Sequence, residues 1–202
     1  MDFSDLFSLQ TEGPDLTPEQ RIRFAALGCI EELGLEGTTV RAIAAKAELN
    51  PAAVNYYFRS KDRLVEEALR GAWSHVAEDV DRIASNLGDR AEIVDMTVRF
   101  LVEGASRYPN IIRAIIVEHP TLRLEVAAFF QALFRRLGTG DATEGDSSLG
   151  AALLISFCVF LGFAADAASL LAGLDLSSAA ARAEIASGIS RRLFPNMRHG
   201  DR

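Results

Sequence analysis

Apolar residues recur along most of this chain at intervals of three and four, the spacing that places side chains on one face of an α-helix. In residues 17–34 this face holds Ile22, Ala25, Ala26, Cys29, Ile30 and Leu33. After Ser60 it holds Leu64, Ala68, Ala72, Val76, Val80 and Ile83. No stretch shows the sustained apolar and polar alternation of a strand, so the pattern predicts an all-α chain.

Local start and stop signals divide this pattern into helices. Thr17-Pro18 and Asn50-Pro51 each place a capping residue before a proline, which favours the first turn of a helix. Thr39 and Ser60 are further candidate caps, and Gly34 is a candidate stop. The predicted helices span 17–34, 39–47, 51–57, 60–88, 90–107, 110–119, 121–137, 147–172 and 178–193.

Charge changes the picture because it is unevenly distributed. The 202 residues carry a net charge of −7, which argues against a protein that coats nucleic acid without specificity. Residues 39–63, however, hold five bases and two acids, while residues 1–19 hold five acids and no base. A local basic patch on an acidic chain favours one defined anionic partner.

The short helices at 39–47 and 51–57 suggest a helix-turn-helix, whose second helix enters the major groove of DNA. Ala52, Asn55 and Tyr56 share one face of that helix, and an asparagine amide can pair with adenine. Lys61 begins the next helix, where its charge suits a phosphate. Tyr56, Tyr57 and Phe58 are consecutive and cannot all face inward, so at least one ring is exposed or bound.

The stretch GTTVRAIAAKAELNPAAVNYYFRSKDRLVEEAL resembles the DNA-binding domain of the TetR/AcrR family of bacterial transcriptional regulators. The resemblance covers about Glu19 to Leu69. It implies that Thr39, Tyr57 and Lys61 contact phosphates of a double-stranded operator. It places a second group near bases: Arg41, Asn50, Pro51, Ala52, Ala53, Asn55 and Tyr56.

Two positions depart from the family pattern. The family often has glycine in the turn where this chain has Glu48, and often has an acidic or polar residue where it has Ala42. A residue other than glycine costs about 1 kcal/mol if the turn requires a left-handed backbone. Both departures bear on how the two short helices dock.

The resemblance also implies a C-terminal bundle that binds an effector and dimerises through its last two helices. The residues agree, because the segment 147–172 is apolar nearly all round and the last helix is rich in alanine and contains Gly188. The predicted organisation is an acidic flexible arm (1–16), a helix-turn-helix domain (17–62), an effector-binding and dimerisation domain (63–195) and a tail (196–202). We expect a ligand-responsive regulator, most simply a homodimeric repressor on a palindromic operator.

The candidate effector contacts are bulky side chains on the middle helices, although core packing is the preferred interpretation for any single one of them. They are Trp73, Met96, Phe100, His119, Phe130, Phe134, Phe157 and Phe160. A surface of this kind favours a small apolar effector, with His119 as the polar contact. No cofactor or metal site is expected, because no Walker sequence, Rossmann glycine pattern or H-E-x-x-H pattern is present.

Two other functional classes remain to be weighed. Residues 147–165 carry no charge and are long enough for a membrane span, although serines dilute them and Asp166 follows. A buried core or interface helix is the preferred interpretation, with no membrane partner. A helical-bundle enzyme would need catalytic carboxylates or metal ligands on facing helices, and the sequence offers none. The acidic start is not a secretory signal, so we expect a cytoplasmic protein.

Overall fold

A computed structural model describes residues 16–86, 89–137, 152–160, 173 and 175–193. Every regular element within these ranges is helical, as the apolar spacing predicts. The helices are α1 Pro18–Gly37, α2 Val40–Lys46, α3 Pro51–Phe58, α4 Lys61–Asn86, α5 Arg90–Arg107, α6 Pro109–Arg113, α7 Pro120–Leu137, α8 at residues 152–160, and α9 Ala179–Leu193. A π-helical turn, Ala114–Glu118, connects α6 to α7.

The predicted caps are present at the starts of the first four helices. Thr17 and Gln20 form a reciprocal capping box, in which the N–H of Thr17 donates to Oε1 of Gln20 over 2.9 Å. The hydroxyls of Thr39 and Ser60 accept N–H groups of α2 and α4. Each cap satisfies a backbone donor that the first helical turn leaves without a partner, and so fixes where the helix begins.

The end of α1 differs in detail from the prediction. Gly34 leaves helical geometry with φ of 71°, as a stop residue should, but a further turn continues to Gly37. Leu33, predicted to face inward, is 53% exposed, so that assignment is wrong. Leu33 immediately precedes the kink, whereas the buried residues of α1 lie on its earlier turns, from Ile22 to Ile30.

One apolar core runs through the N-terminal helices and the bundle. It joins Ile30 of α1 and Phe58 of α3 to Phe100 of α5 and Ala186 of α9. α1 packs against α2, α4 and α6, and α5 packs along α9. The N-terminal helices therefore rest on the bundle through α1 and α4.

The possibility of a membrane span concerns residues 147–172, of which the structure describes 152–160. Within the described ranges, none of the helices combines the length and the hydropathy that a bilayer crossing requires. Leu154 is buried, and Phe157 and Cys158 pack against the core from one side of α8. The remaining residues of 147–172 lie outside the described part of the chain.

Candidate nucleic-acid interface

α3 is fixed to the protein by one face and presents the other to solvent. Val54 and Phe58 are 2% and 1% exposed and anchor the helix in the core, as predicted. Ala52, Asn55 and Tyr56 are exposed on the other face. A short helix held from beneath by two buried side chains can present its outer face in a fixed orientation.

The consecutive aromatic residues at the end of α3 divide as their spacing requires. Phe58 is buried, Tyr57 is 39% exposed and Tyr56 is 81% exposed. The two tyrosine rings meet edge to face, with centroids 5.3 Å apart and planes at 85°. A large ring that is mostly exposed on a rigid helix has the position expected of a side chain that contacts a partner.

Two of the candidate DNA contacts also cap helices. Oδ1 of Asn50 accepts the N–H of Ala53 over 2.8 Å, and the hydroxyl oxygen of Thr39 accepts the N–H of Ala42 over 3.1 Å. These bonds occupy acceptors, while the Asn50 amide group and the Thr39 hydroxyl proton are still able to donate. Both residues are exposed, so each can cap its helix and donate to DNA at once.

The turn between α2 and α3 has a left-handed residue. Glu48 has φ of 55°, the backbone region in which a glycine would be unstrained. The turn therefore keeps a left-handed residue although glycine is absent. The side chain of Glu48 makes that backbone conformation strained. Nearby, Nη2 of Arg21 in α1 donates to the carbonyl of Ala47 over 2.5 Å, which satisfies the end of α2. Arg21 was not among the predicted functional residues, since its partner is 26 positions away in the sequence.

Lys61 has a structural role as well as its predicted one. Its Nζ donates to the carbonyl of Thr38 over 3.1 Å, at the cap that ends α1. A cation at a helix C-terminus interacts favourably with the helix dipole. The ammonium group lies beside the start of α2, and two of its three protons are left for other acceptors such as phosphate oxygens.

The basic patch at residues 39–63 divides into paired and open cations. Lys46 bonds to Glu32 over 2.5 Å, and Arg63 bonds to Glu67 over 2.8 Å. Arg41 and Arg59 are exposed, and no acidic side chain in the described ranges forms an ion pair with either. Arg59 also has a left-handed backbone, with φ of 62° at the end of α3. The open positive charge therefore lies near the two ends of the helix-turn-helix.

The candidate effector residues do not share one environment. Trp73 of α4 lies 5.9 Å from Phe130 of α7, between ring centroids. Phe129, which sequence reasoning passed over, is closer to Trp73, at 5.3 Å edge to face. Phe100 is fully buried in the core, and Met96 is half-buried beside it.

The remaining candidates have other surroundings where the structure describes them. Phe157 is half-buried and Phe160 is 38% exposed, both on α8, and the side chain of Phe134 lies outside the described residues. Nδ1 of His119 accepts the N–H of Leu122 over 3.4 Å, which gives that histidine a capping role at the start of α7. Of the eight candidates, Trp73 and Phe130 have rings in contact with each other in the described part of the chain.

The helix-turn-helix also matches known proteins. Residues 22–68 match the model of the family described as bacterial regulatory proteins, tetR family. The HTH-type transcriptional regulator BetI of Stenotrophomonas maltophilia is 39% identical over 71 residues, 35% of this chain and 36% of that protein. The match therefore spans about a third of that relative's length.

Two further matches extend beyond the helix-turn-helix. The nucleoid occlusion factor SlmA of Pasteurella multocida is 26% identical over 141 residues, 63% of this chain and 71% of that protein. The fatty acid degradation regulator FadR of Bacillus halodurans shares the fold, with a TM-score of 0.68 at 15% identity over 93% of this chain and 98% of that one. Residues 22–68 of this chain therefore form a domain of the tetR family of bacterial regulatory proteins, and transcriptional regulation is the function that this domain indicates.

Proposed function

We propose that this regulator is a homodimeric repressor that binds a palindromic operator in the cytoplasm and leaves it when a small apolar effector occupies the bundle. The observation that carries the DNA-binding part is α3, with two buried anchors beneath and Tyr56, 81% exposed, on the outside. A recognition helix needs this combination, because base readout requires side chains that are both exposed and fixed in direction.

The proposed DNA contacts fall into two groups. Thr39, Tyr57 and Lys61 border the phosphate backbone, while Arg41, Asn55 and Tyr56 reach base edges. The remaining positions are Asn50, Pro51, Ala52 and Ala53, which form the first turn of α3 and its cap. The small side chains of Ala52 and Ala53 let the backbone of this turn approach the bases closely.

The dimer is proposed from the surfaces of α8 and α9. Leu153 and Phe160 on α8 are 52% and 38% exposed in the single chain. Large apolar side chains on one helix favour a partner helix, and a two-fold axis brings the same surface of a second copy against them. Two copies then present two recognition helices to successive half-sites of the operator.

The effector site is proposed near the ring cluster of α4 and α7. Trp73 packs against Phe129 and Phe130 while remaining half-buried. Burying about 200 Å² of apolar ligand surface here would contribute on the order of 5 kcal/mol before ordering costs. α4 starts next to the recognition helix and carries Trp73 about three turns further on, so it can transmit a shift of the bundle to the DNA-binding helices.

Operator selection tests the DNA-binding part. The purified full chain is mixed with a random duplex library, and the selected sequence is expected to be an inverted repeat. Tyr56→Ala should then bind that sequence more weakly in fluorescence anisotropy. Arg123→Ala, an exposed change on α7, is the matched control and should bind like wild type. Selection of no sequence at any salt concentration would contradict the proposal.

A thermal-shift screen tests the effector part. Apolar and anionic small molecules are compared on wild type and Trp73→Ala, which removes the central ring of the proposed site. Apolar compounds should raise the melting temperature of the wild type and lower its operator affinity. Stabilisation by highly charged compounds alone would rule out an apolar site. If apolar compounds stabilise both proteins equally, Trp73 belongs to the core and not to the effector site.

A further inference from the structure

A cleft of about 230 Å³ lies between α1 and α4, on the seam where the DNA-binding helices meet the bundle. It contains none of the residues proposed above to contact DNA or effector. Phe24 and Leu27 of α1 and Ala68 of α4 form an apolar floor, of which Leu27 and Ala68 are buried. Arg23 and His75 lie among the polar residues at its edge.

Gly71 is the unusual member of this lining. It lies inside α4, where glycine costs about 1 kcal/mol relative to alanine. A Cβ added to Gly71 would meet no atom of the described chain within 4 Å. Close packing between the described helices therefore does not explain this glycine. The missing side chain leaves the cleft open, which points to something else that fills it.

The size of the cleft narrows the choice of occupant. Pockets for drug-sized ligands have volumes of roughly 300–1,000 Å³. The cleft is smaller, and its apolar floor is bordered by polar and charged groups such as Arg23, Glu67 and His75. A space of this kind suits large apolar side chains of a peptide whose polar groups stay at the rim.

The chain itself supplies such a peptide. Residues 1–15 precede the described part of the chain, which begins two residues before α1 and seven before Arg23. Phe3, Leu6 and Phe7 are spaced by three and four, the spacing of one helical face. Asp2 and Asp5 accompany them, with no base among the first nineteen residues. Fifteen residues span up to about 50 Å when extended, so the segment can reach back along α1.

We propose that the N-terminal segment docks in the cleft between α1 and α4, with Phe3 or Phe7 over the space beside Gly71. The acidic residues of the segment then lie near Arg23 and His75 at the rim. Arg23 already pairs with Glu19 over 3.3 Å and with Glu67 over 3.9 Å, which holds it at this edge of the cleft. Docking would join the N-terminal segment to the seam between the DNA-binding helices and the bundle, a role beyond the proposed function.

Hydrogen–deuterium exchange on the full chain tests this docking. In wild type, amides of residues 3–9 should exchange about tenfold more slowly than in an unstructured peptide of the same sequence. Gly71→Leu fills the cleft at a position where the new Cβ is unobstructed, and it should return these amides to the unstructured rate. Ser74→Leu adds the same side chain at an exposed position of α4 and is the matched control, with wild-type protection expected.

A second variant tests the docking of the N-terminal segment if Gly71→Leu does not fold. Phe3→Ala with Phe7→Ala leaves the described fold untouched and should speed exchange in residues 67–72 of α4. Unstructured exchange of residues 3–9 in wild type would overturn the proposal. Protection of residues 3–9 that persists in Gly71→Leu would also overturn it, because the segment would then dock elsewhere. Protection that falls on dilution would overturn it as well, because it would indicate docking on a second copy.

Discussion

Glu31 of α1 and Asn110 of α6 are joined by hydrogen bonds through both side chain and backbone. The side-chain amide of Asn110 donates to the backbone carbonyl of Glu31 over 2.8 Å, and its backbone N–H donates to the Glu31 carboxylate over 3.4 Å. The N–H of Ile111 donates to the same carboxylate over 3.0 Å. A displacement of α6 would therefore be transmitted directly to α1, in addition to the route through α4.

The titration of Glu31 gives the first prediction. Burial raises the pKa of the Glu31 carboxyl above its ordinary 4.5, although the N–H groups of Ile111 and Asn110 oppose the shift. Protonation of Glu31 thus favours the folded state, so this stabilisation is complete below the ordinary pKa and is lost as pH rises through the raised one. Glu31→Gln is neutral throughout. The free energy of unfolding of wild type relative to Glu31→Gln should therefore increase as pH falls from about 7 to about 4.5.

Urea denaturation at the two pH values measures this difference. Glu36→Gln, an exposed change on the same helix, sets the baseline for the loss of one carboxylate. If the difference in unfolding free energy between wild type and Glu31→Gln is the same at both pH values, the titration of Glu31 is not coupled to folding in this way.

The strained turn gives the second prediction. Glu48→Gly should raise the free energy of unfolding by about 0.5–1 kcal/mol, because glycine adopts φ of 55° without the steric cost paid by a residue with a Cβ. The gain is smaller than the strain itself, since glycine also increases the entropy of the unfolded chain. Glu48→Ala removes the same carboxylate but keeps the Cβ, so its denaturation midpoint should not rise. A gain of equal size in Glu48→Ala would assign the effect to charge.

Local signals made most helix boundaries predictable from the sequence. Thr17 and Asn50 act on backbone groups three residues away, so a short window contains the whole interaction. The burial of Val54 and Phe58 follows equally from helical spacing and from the polar residues between them. The roles proposed for the exposed residues come from the family resemblance, because spacing alone does not give them.

The interactions that hold the helices together were not predictable in the same way. Arg21 reaches Ala47, and Glu31 reaches Ile111 80 positions away, and neither residue differs locally from any other surface charge. Phe130 was among the predicted effector contacts and the adjacent Phe129 was not. The packing of both rings on Trp73 depends on how α4 and α7 cross.

Two asparagines, one at the cap and one on the outer face of α3, give the third prediction. Asn55→Ala should weaken operator binding by about 1–3 kcal/mol and relax the preference at one base pair of each half-site. Asn50→Ala should instead lower the free energy of unfolding by about 1 kcal/mol, because it removes the cap on Ala53. Binding to a set of single-base operator variants and denaturation of both proteins separate the two effects. Equal weakening of Asn55→Ala on every operator would mean that Asn55 reads no base.

The two roles of Lys61 give the fourth prediction. Lys61→Met keeps the apolar stem and removes the charge, so the slope of log affinity against log salt should become shallower by about 1. The loss should be uniform across operator variants, since phosphates carry no sequence information. The free energy of unfolding should also fall, because the Thr38 carbonyl loses its donor. An unchanged salt slope with lowered stability would leave Lys61 with its structural role alone.

Gly188 in α9 gives the last prediction, which concerns the dimer. A Cβ added there would meet only the guanidinium of Arg192, at 3.3 Å, among the described atoms. Within the described part of the single chain, then, no neighbouring backbone accounts for a glycine in the middle of this helix, and a close partner helix does account for it. Gly188→Leu should separate the two copies and yield a monomer in light scattering. Operator affinity should fall steeply, because one recognition helix alone makes half of the contacts.

Gly188→Ala is the matched control for this change. It adds one methyl group, which only the flexible end of Arg192 opposes among the described atoms, and it improves helix propensity. The alanine variant should therefore remain folded, and it should dimerise less tightly than wild type if a partner backbone lies against this position. An intact dimer in Gly188→Leu would remove Gly188 from the interface. A monomeric wild type at concentrations that saturate the operator would remove the dimer itself, and with it the expectation of an inverted repeat.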